Sequence, residues 1–244
     1  MEDRIMIFIK AIDNQYFDSF VNQGQICMNT VEWFREYEKT DSNIGDEFEG
    51  VSAACGNGFK IHFGDPIETW NSEEELKQKL DATQWSDPLE HGINLKMFYS
   101  NNNANIFSLY AVCPSNISYT SGCYLVSPRF LEEFNNHRFV LFIDPDAIFS
   151  KIQAEITKLG KQPEKGLVSY YPLDEKLRKD LTLFDKPNKY EYQNEFRLVF
   201  KNENAVQQIF TIGPINDFCR EIDLSKKCTL AYNKNSCTIT KVEE

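Results

Sequence analysis

The chain has 244 residues, 41% of them hydrophobic and 14% aromatic, and carries a net charge of −11. That length suits one large domain, the apolar fraction builds a core and excludes a disordered chain, and the acidic balance withholds the overall footprint of an unaided nucleic-acid binder. Seven widely spaced cysteines without a Cys-x-x-Cys pair, and three distant histidines, His62, His91 and His137, give no zinc signature and fit free thiols in a reducing compartment. The apolar run 5–9 is too short for a secretory segment, and no run has the length of a membrane span. A cytoplasmic chain with no membrane partner is expected.

In chain order, residues 5–9 form a short apolar run that predicts a buried strand. Residues 14–22 place Tyr16, Phe17, Phe20 and Val21 at helical spacing, and Gly24 stops that helix. Residues 25–29 read as a strand and residues 31–37 as a short helix. Residues 41–50 are a polar loop. A strand-like stretch follows at 51–63, interrupted by Gly56 and Gly58, and Ser72 with Glu75 has capping-box spacing. Residues 84–91 are irregular. Residues 95–100 and 105–113 read as paired strands around an asparagine turn. Helices are predicted at 128–135 and 145–159, the second opened by Asp144 and ended by Gly160. Strands are predicted at 139–143, 167–171, 190–200, 207–212, 228–232 and 237–241, with a charged segment over 174–189. Strands outnumber helices, few strand–helix–strand units repeat, and no linker divides the chain. The expectation is a single α+β domain over residues 1–244, built on two packed, mainly antiparallel sheets with flanking helices.

No phosphate-binding loop, dinucleotide fingerprint, nucleophile elbow or zinc-peptidase motif is present. Three other segments carry chemistry. The run 189–200 sets Gln193, Glu195 and Arg197 two apart at the entry to an apolar stretch, which on a strand puts all three on one face. A carboxylate there holds a sugar hydroxyl or steadies a developing cation; an edge strand with a polar wet face has the same spacing. Residues 106–112 place Ser108 and Tyr110 on one strand face among apolar neighbours, suited to a nicotinamide or ribose wall and equally to a core strand with satisfied hydroxyls. Residues 33–50 supply Arg35 and then Asp46, Glu47 and Glu49 beside Gly45 and Gly50, either an acidic turn presenting carboxylates or a solvated loop.

The order of an early basic strand, a middle Ser/Tyr strand and a late Gln193-x-Glu195 strand resembles the ADP-ribosyltransferase superfamily. The stretch 16–26, a helix ending in Gly before a strand, is similar to the opening of DNA-targeting members from bacterial toxin–antitoxin pairs. Tyr192-x-x-Glu195-Phe196-Arg197 with the later Ile212-Gly213-Pro214-Ile215 also resembles a large bacterial family found near phage-defence genes. The early strand departs from the superfamily pattern, which has Arg or His there; this chain offers Arg4 before the strand and Lys10 at its end.

The resemblance implies an ADP-ribosyltransferase-like fold, with NAD as substrate and a macromolecular acceptor, nucleic acid or protein. It also implies a neutralising antitoxin partner. Glu195 is then the catalytic acid residue that steadies the cation formed as nicotinamide leaves, and Gln193 orients the acceptor. Ser108 and Tyr110 line the nicotinamide side, and Lys10 or Arg35, with Arg197, meets the cofactor's charged groups. Two other readings stand beside it: a non-catalytic sensor or binding module of a defence complex, and a metal-dependent nuclease using Asp46, Glu49 and Glu195 with Mg²⁺.

Overall fold

The computed structural model describes residues 7–41, 44–54, 103–113, 126–173, 178–204, 206–224, 229–233 and 238–242. The predicted capping box at Ser72 and Glu75, the hairpin glycines, the irregular stretch 84–91, the strand at 95–100 and Arg4 lie outside these residues.

The described chain runs β1 (Ile7–Asp13), α1 (Phe17–Gln23), β2 (Gln25–Thr30), α2 (Val31–Tyr37), β3 (Ala53–Ala54), β4 (Ala104–Val112), α3 (Pro128–Glu133), β5 (His137–Phe142) and α4 (Pro145–Lys158). It continues with β6 (Pro163–Leu167), β7 (Ser169–Tyr171), β8 (Arg178–Lys179), β9 (Asp185–Pro187), β10 (Glu195–Lys201), β11 (Gln208–Thr211), β12 (Cys219–Ile222), β13 (Thr229–Asn233) and β14 (Thr238–Val242). The fold is α+β, with one large antiparallel sheet and a few helices.

Where two packed sheets are expected, eight strands join in one sheet. They follow the order β11-β2-β4-β1-β5-β12, with β10 also on β4 and β6 on β10. The reason is the length of β4. Residues 104–110 of its nine pair with β10 along one edge, while the other edge receives β1 at residues 110–112 and β2 at residues 105–106. Over residues 107–109 the described sheet is therefore split, with β10 on one side and no strand register on the other. Three two-stranded pieces complete it, β13–β14 and β3–β8 antiparallel and β7–β9 parallel.

One face of the sheet is packed by α1 and α4. Phe8, Phe107, Leu109, Phe196, Leu198 and Phe200 meet Phe20 and the α4 stripe Ile148, Phe149, Ile152 and Ile156, which recur at helical spacing. Burying each such side chain contributes roughly 1.5–3 kcal/mol. Helix α4 starts where the Asp144 carboxylate accepts the Ala147 N–H, and Gly160 follows its end in the left-handed region at φ 71°.

The opposite face carries two separate apolar clusters. Ile7, Ile9, Tyr110, Val112, Phe130 and Leu141 form one; Val31, Ala104, Ile106, Leu183 and Val199 form the other. Among the described cysteines, Cys27, Cys113 and Cys219 are free. No helix among the described residues is long and apolar enough to cross a membrane.

Three element predictions are corrected. Residues 190–193 are not strand: Asn188–Gln193 is a 3-10 turn, and β10 begins only at Glu195. Pro187 has no N–H for a ladder, and Asn194 sits at φ 38° in the left-handed region, so the chain cannot enter the sheet earlier. The predicted strand at 167–171 is two strands, β6 and β7, broken at Val168. The charged segment 174–189 contains β8 and β9.

Candidate active site

Between the two apolar clusters on the second face runs a polar band. Along β4 the inward alternation reads Ala104, Ile106, Ser108, Tyr110, Val112, and along β10 it reads Glu195, Arg197, Val199. The register pairs Arg197 with Ser108 and Glu195 with Tyr110, so these side chains share one face. The band is covered by the turn 46–51 and by residues 183–193.

Arg197 is the hub. Its side chain is 1% exposed, as is that of Glu49. Arg197 Nη1 and Nη2 donate to the two Glu49 oxygens at 2.7 Å each, Nε donates to Glu195 Oε1 at 2.8 Å, Nη2 also donates to Glu195 Oε2 at 3.2 Å, and Nη1 reaches the Leu183 carbonyl. All five guanidinium N–H groups are thereby used. Burial alone would lower its pKa, but the paired Glu195 and Glu49 carboxylates hold it above the ordinary arginine range.

Glu195 is equally committed. Oε1 accepts from Ser108 Oγ and Arg197 Nε; Oε2 accepts from Arg197 Nη2 and from Lys186 Nζ at 3.3 Å. Every lone-pair direction of the carboxylate is taken. Burial would raise its pKa, yet Arg197, Lys186 and the hydrogen bonds from Arg197 and Ser108 hold it well below the usual carboxylate range. It is ionised at neutral pH.

Gln193 does not share a strand face with Glu195. The 3-10 turn and left-handed Asn194 separate them, and Lys186 brings them together instead. Its Nζ donates to Gln193 Oε1 at 2.8 Å as well as to Glu195, and sits 4.4 Å from the centroid of the Tyr190 ring. Lys186 is buried, with 4% of its side chain exposed.

The remaining predicted residues fall into different places. Tyr110 turns away from Glu195: its hydroxyl accepts from Asn194 Nδ2 at 2.8 Å and from the Ser127 N–H at 3.2 Å, and its ring packs on Phe130. Lys10 lies on the other face of the sheet, alternating with Ile9, and its Nζ donates at 2.8 Å to the Ser108 carbonyl in the split of β4, 4.6 Å from the Phe107 ring centroid. Burial brings the Lys10 ammonium down to about 8 against the pull of Glu195. Arg35 is one step out, with Nε donating to the Glu49 carbonyl at 2.7 Å.

Asp46 is 1% exposed. Its Oδ1 accepts the Phe48 N–H at 2.9 Å, while Oδ2 is buried with no hydrogen-bond partner among the described residues. Burial first, and Glu49 nearby, push its carboxyl up to about 7 despite the attraction of Lys186. The nearby Tyr171 hydroxyl is also buried without a partner among the described residues.

The site thus joins Ser108, Glu195, Arg197, Glu49 and Gln193, with Asp46 beside them. Lys186 and Tyr190 are absent from the sequence-derived set; a lysine in a charged segment carries no signal of burial. Arg197 stands between Glu49 and Glu195, and among the described residues no three His, Cys, Asp or Glu side chains converge as a metal site. No family model, no curated protein and no solved structure matches the chain.

Proposed function

We propose that the protein is an NAD-dependent mono-ADP-ribosyltransferase, a cytoplasmic toxin of toxin–antitoxin or anti-phage type with a macromolecular acceptor. The observation that supports this reading best is the hydroxyl of Ser108 donating to an ionised, buried Glu195, on adjacent strands beside the split in the sheet. Ser108 and Arg197 fix the carboxylate, so its charge is preorganised and does not have to reorient as positive charge develops on the ribose. The ribose–nicotinamide C–N bond breaks, nicotinamide leaves with the electron pair, and the acceptor nucleophile bonds to the ribose carbon and loses its proton.

A second reading, a non-catalytic binding module, is favoured by the saturation of Glu195, since a network with every donor and acceptor matched is what a structural core contains. Nicotinamide release from labelled NAD decides between them. In the transferase, Glu195→Gln keeps the shape, stays folded and lowers turnover roughly 10²–10³-fold. Absence of NAD turnover in the wild-type chain with nucleic-acid and protein acceptors supplied, or full turnover in the variant, ends the transferase reading.

A further inference from the structure

The Lys186 ammonium is seated as a ligand would be. Two side-chain oxygens, Gln193 Oε1 and Glu195 Oε2, face it, the π-face of Tyr190 covers it, and the Asp46 carboxyl lies within its field. Carboxylate, amide oxygen and aromatic face are together the chemistry that recognises an organic cation. Among the described partners of the Glu195 carboxylate, Ser108 and Arg197 belong to the large sheet itself, whereas Lys186 reaches it on a long side chain from the three-residue strand β9. The segment carrying it is bounded by Asp180 at φ 60° and Asn194 at φ 38°, the two described residues other than glycine with positive φ. Strain of this kind persists where the surroundings hold it and is released when they let go.

We infer that Lys186 is an internal occupant of a cation subsite, and that a planar organic cation, the pyridinium ring of the substrate, expels its ammonium to sit against Tyr190 and Gln193, so that the adjoining ribose reaches Glu195. This rests on the transferase reading and adds a regulation to it: the described form is self-occluded, and affinity is reduced by the share of molecules in which Lys186 occupies the seat.

Two measurements on the full-length protein test the inference. The first is amine-reactive labelling of the wild-type chain, read lysine by lysine by mass spectrometry, with NAD, with the cation 1-methylnicotinamide and with neutral nicotinamide. Lys186 labelling rises with the two cations and not with the neutral ring, while Lys151 and Lys201 stay unchanged. The second is calorimetric binding of the same three probes to Lys186→Met, which binds the cations about tenfold tighter than wild type and neutral nicotinamide no tighter. Lysine protection that persists at saturating cation overturns the inference whether or not the variant folds. So does binding to Lys186→Met that is equal to or weaker than wild type. Cation binding with Lys186 exposed but no NAD turnover keeps the subsite and removes the transferase. NAD turnover with Lys186 protected does the reverse. No binding of either cation removes both.

Discussion

Asp46 is a carboxyl the protein buries without fully satisfying it, and this sets a pH dependence. The unfolded chain releases the Asp46 proton near its ordinary value of 3.8, whereas the folded chain keeps it to about 7. Folding therefore takes up a proton between those values, and stability falls as pH rises through that window. Glu195 acts oppositely. Its carboxylate is held below the usual range, so its contribution is present above its ordinary 4.5 and is lost as the pH falls further. Urea midpoints should peak at about pH 4, between the two unfolded-state values, and decline toward pH 7 by the equivalent of roughly 2–4 kcal/mol. In Asp46→Asn that decline should vanish, and the variant should be the more stable protein at pH 8. Arg197 presents the converse case. Arg197→Met leaves Glu49 and Glu195 buried without their common partner, and should cost about 3–5 kcal/mol in the same titration, far more than an exposed pair such as Lys39 with Glu36.

At the scale of elements, local chemistry decides more than periodicity does. Gly24 caps α1 at φ 64°, and a Cβ there would run into the Gly213 carbonyl oxygen. Gly24→Ala should lower stability by more than about 2 kcal/mol, adding left-handed strain to the clash, and a drop in melting temperature checks it. The helices α1, α2, α3 and α4 and the strands β2, β4 and β11 were legible because each combines a periodic apolar stripe with an adjacent cap or breaker. The site was legible only in part. Glu195, Arg197 and Ser108 could be read from strand alternation, since a pleat fixes which residues share a face. Gln193 was assigned to that face wrongly, because the left-handed turn at Asn194 breaks the period of two. Lys186 was invisible: nothing local distinguishes a lysine that is buried against the Gln193 amide oxygen and the Glu195 carboxylate from one that is solvated. Strand β12, with Arg220 and Glu221 exposed between buried Cys219 and Ile222, escaped for want of an apolar run.

For the whole molecule, the arrangement of strands matters more than their number. The excess of negative charge at −11 is not spread evenly in effect, since the buried band pairs its own carboxylates with Arg197 and Lys186 and leaves the surplus to the rest of the chain. If the chain is the transferase proposed, a polyanionic acceptor would meet that surplus, so transfer to nucleic acid should rise with added salt, while transfer to a basic protein should fall. Acceptor assays across about 50–300 mM salt separate the two classes by the sign of the slope.

The split over residues 107–109 also bears on how the chain is made. Strand β4 is built on partners from both directions of the sequence, β1 and β2 before it and β10 after it. When β4 leaves the ribosome its first two partners already exist, but β10 is not synthesised for roughly another 4–20 s at ordinary elongation rates. For that interval the whole long edge of β4, with Phe107 and Leu109 facing an unfinished core, is an open template for pairing with other chains. Slowing translation between β4 and β10 should therefore lower the yield of soluble protein, and a chaperone that shields that edge should restore it, read as the soluble fraction on expression.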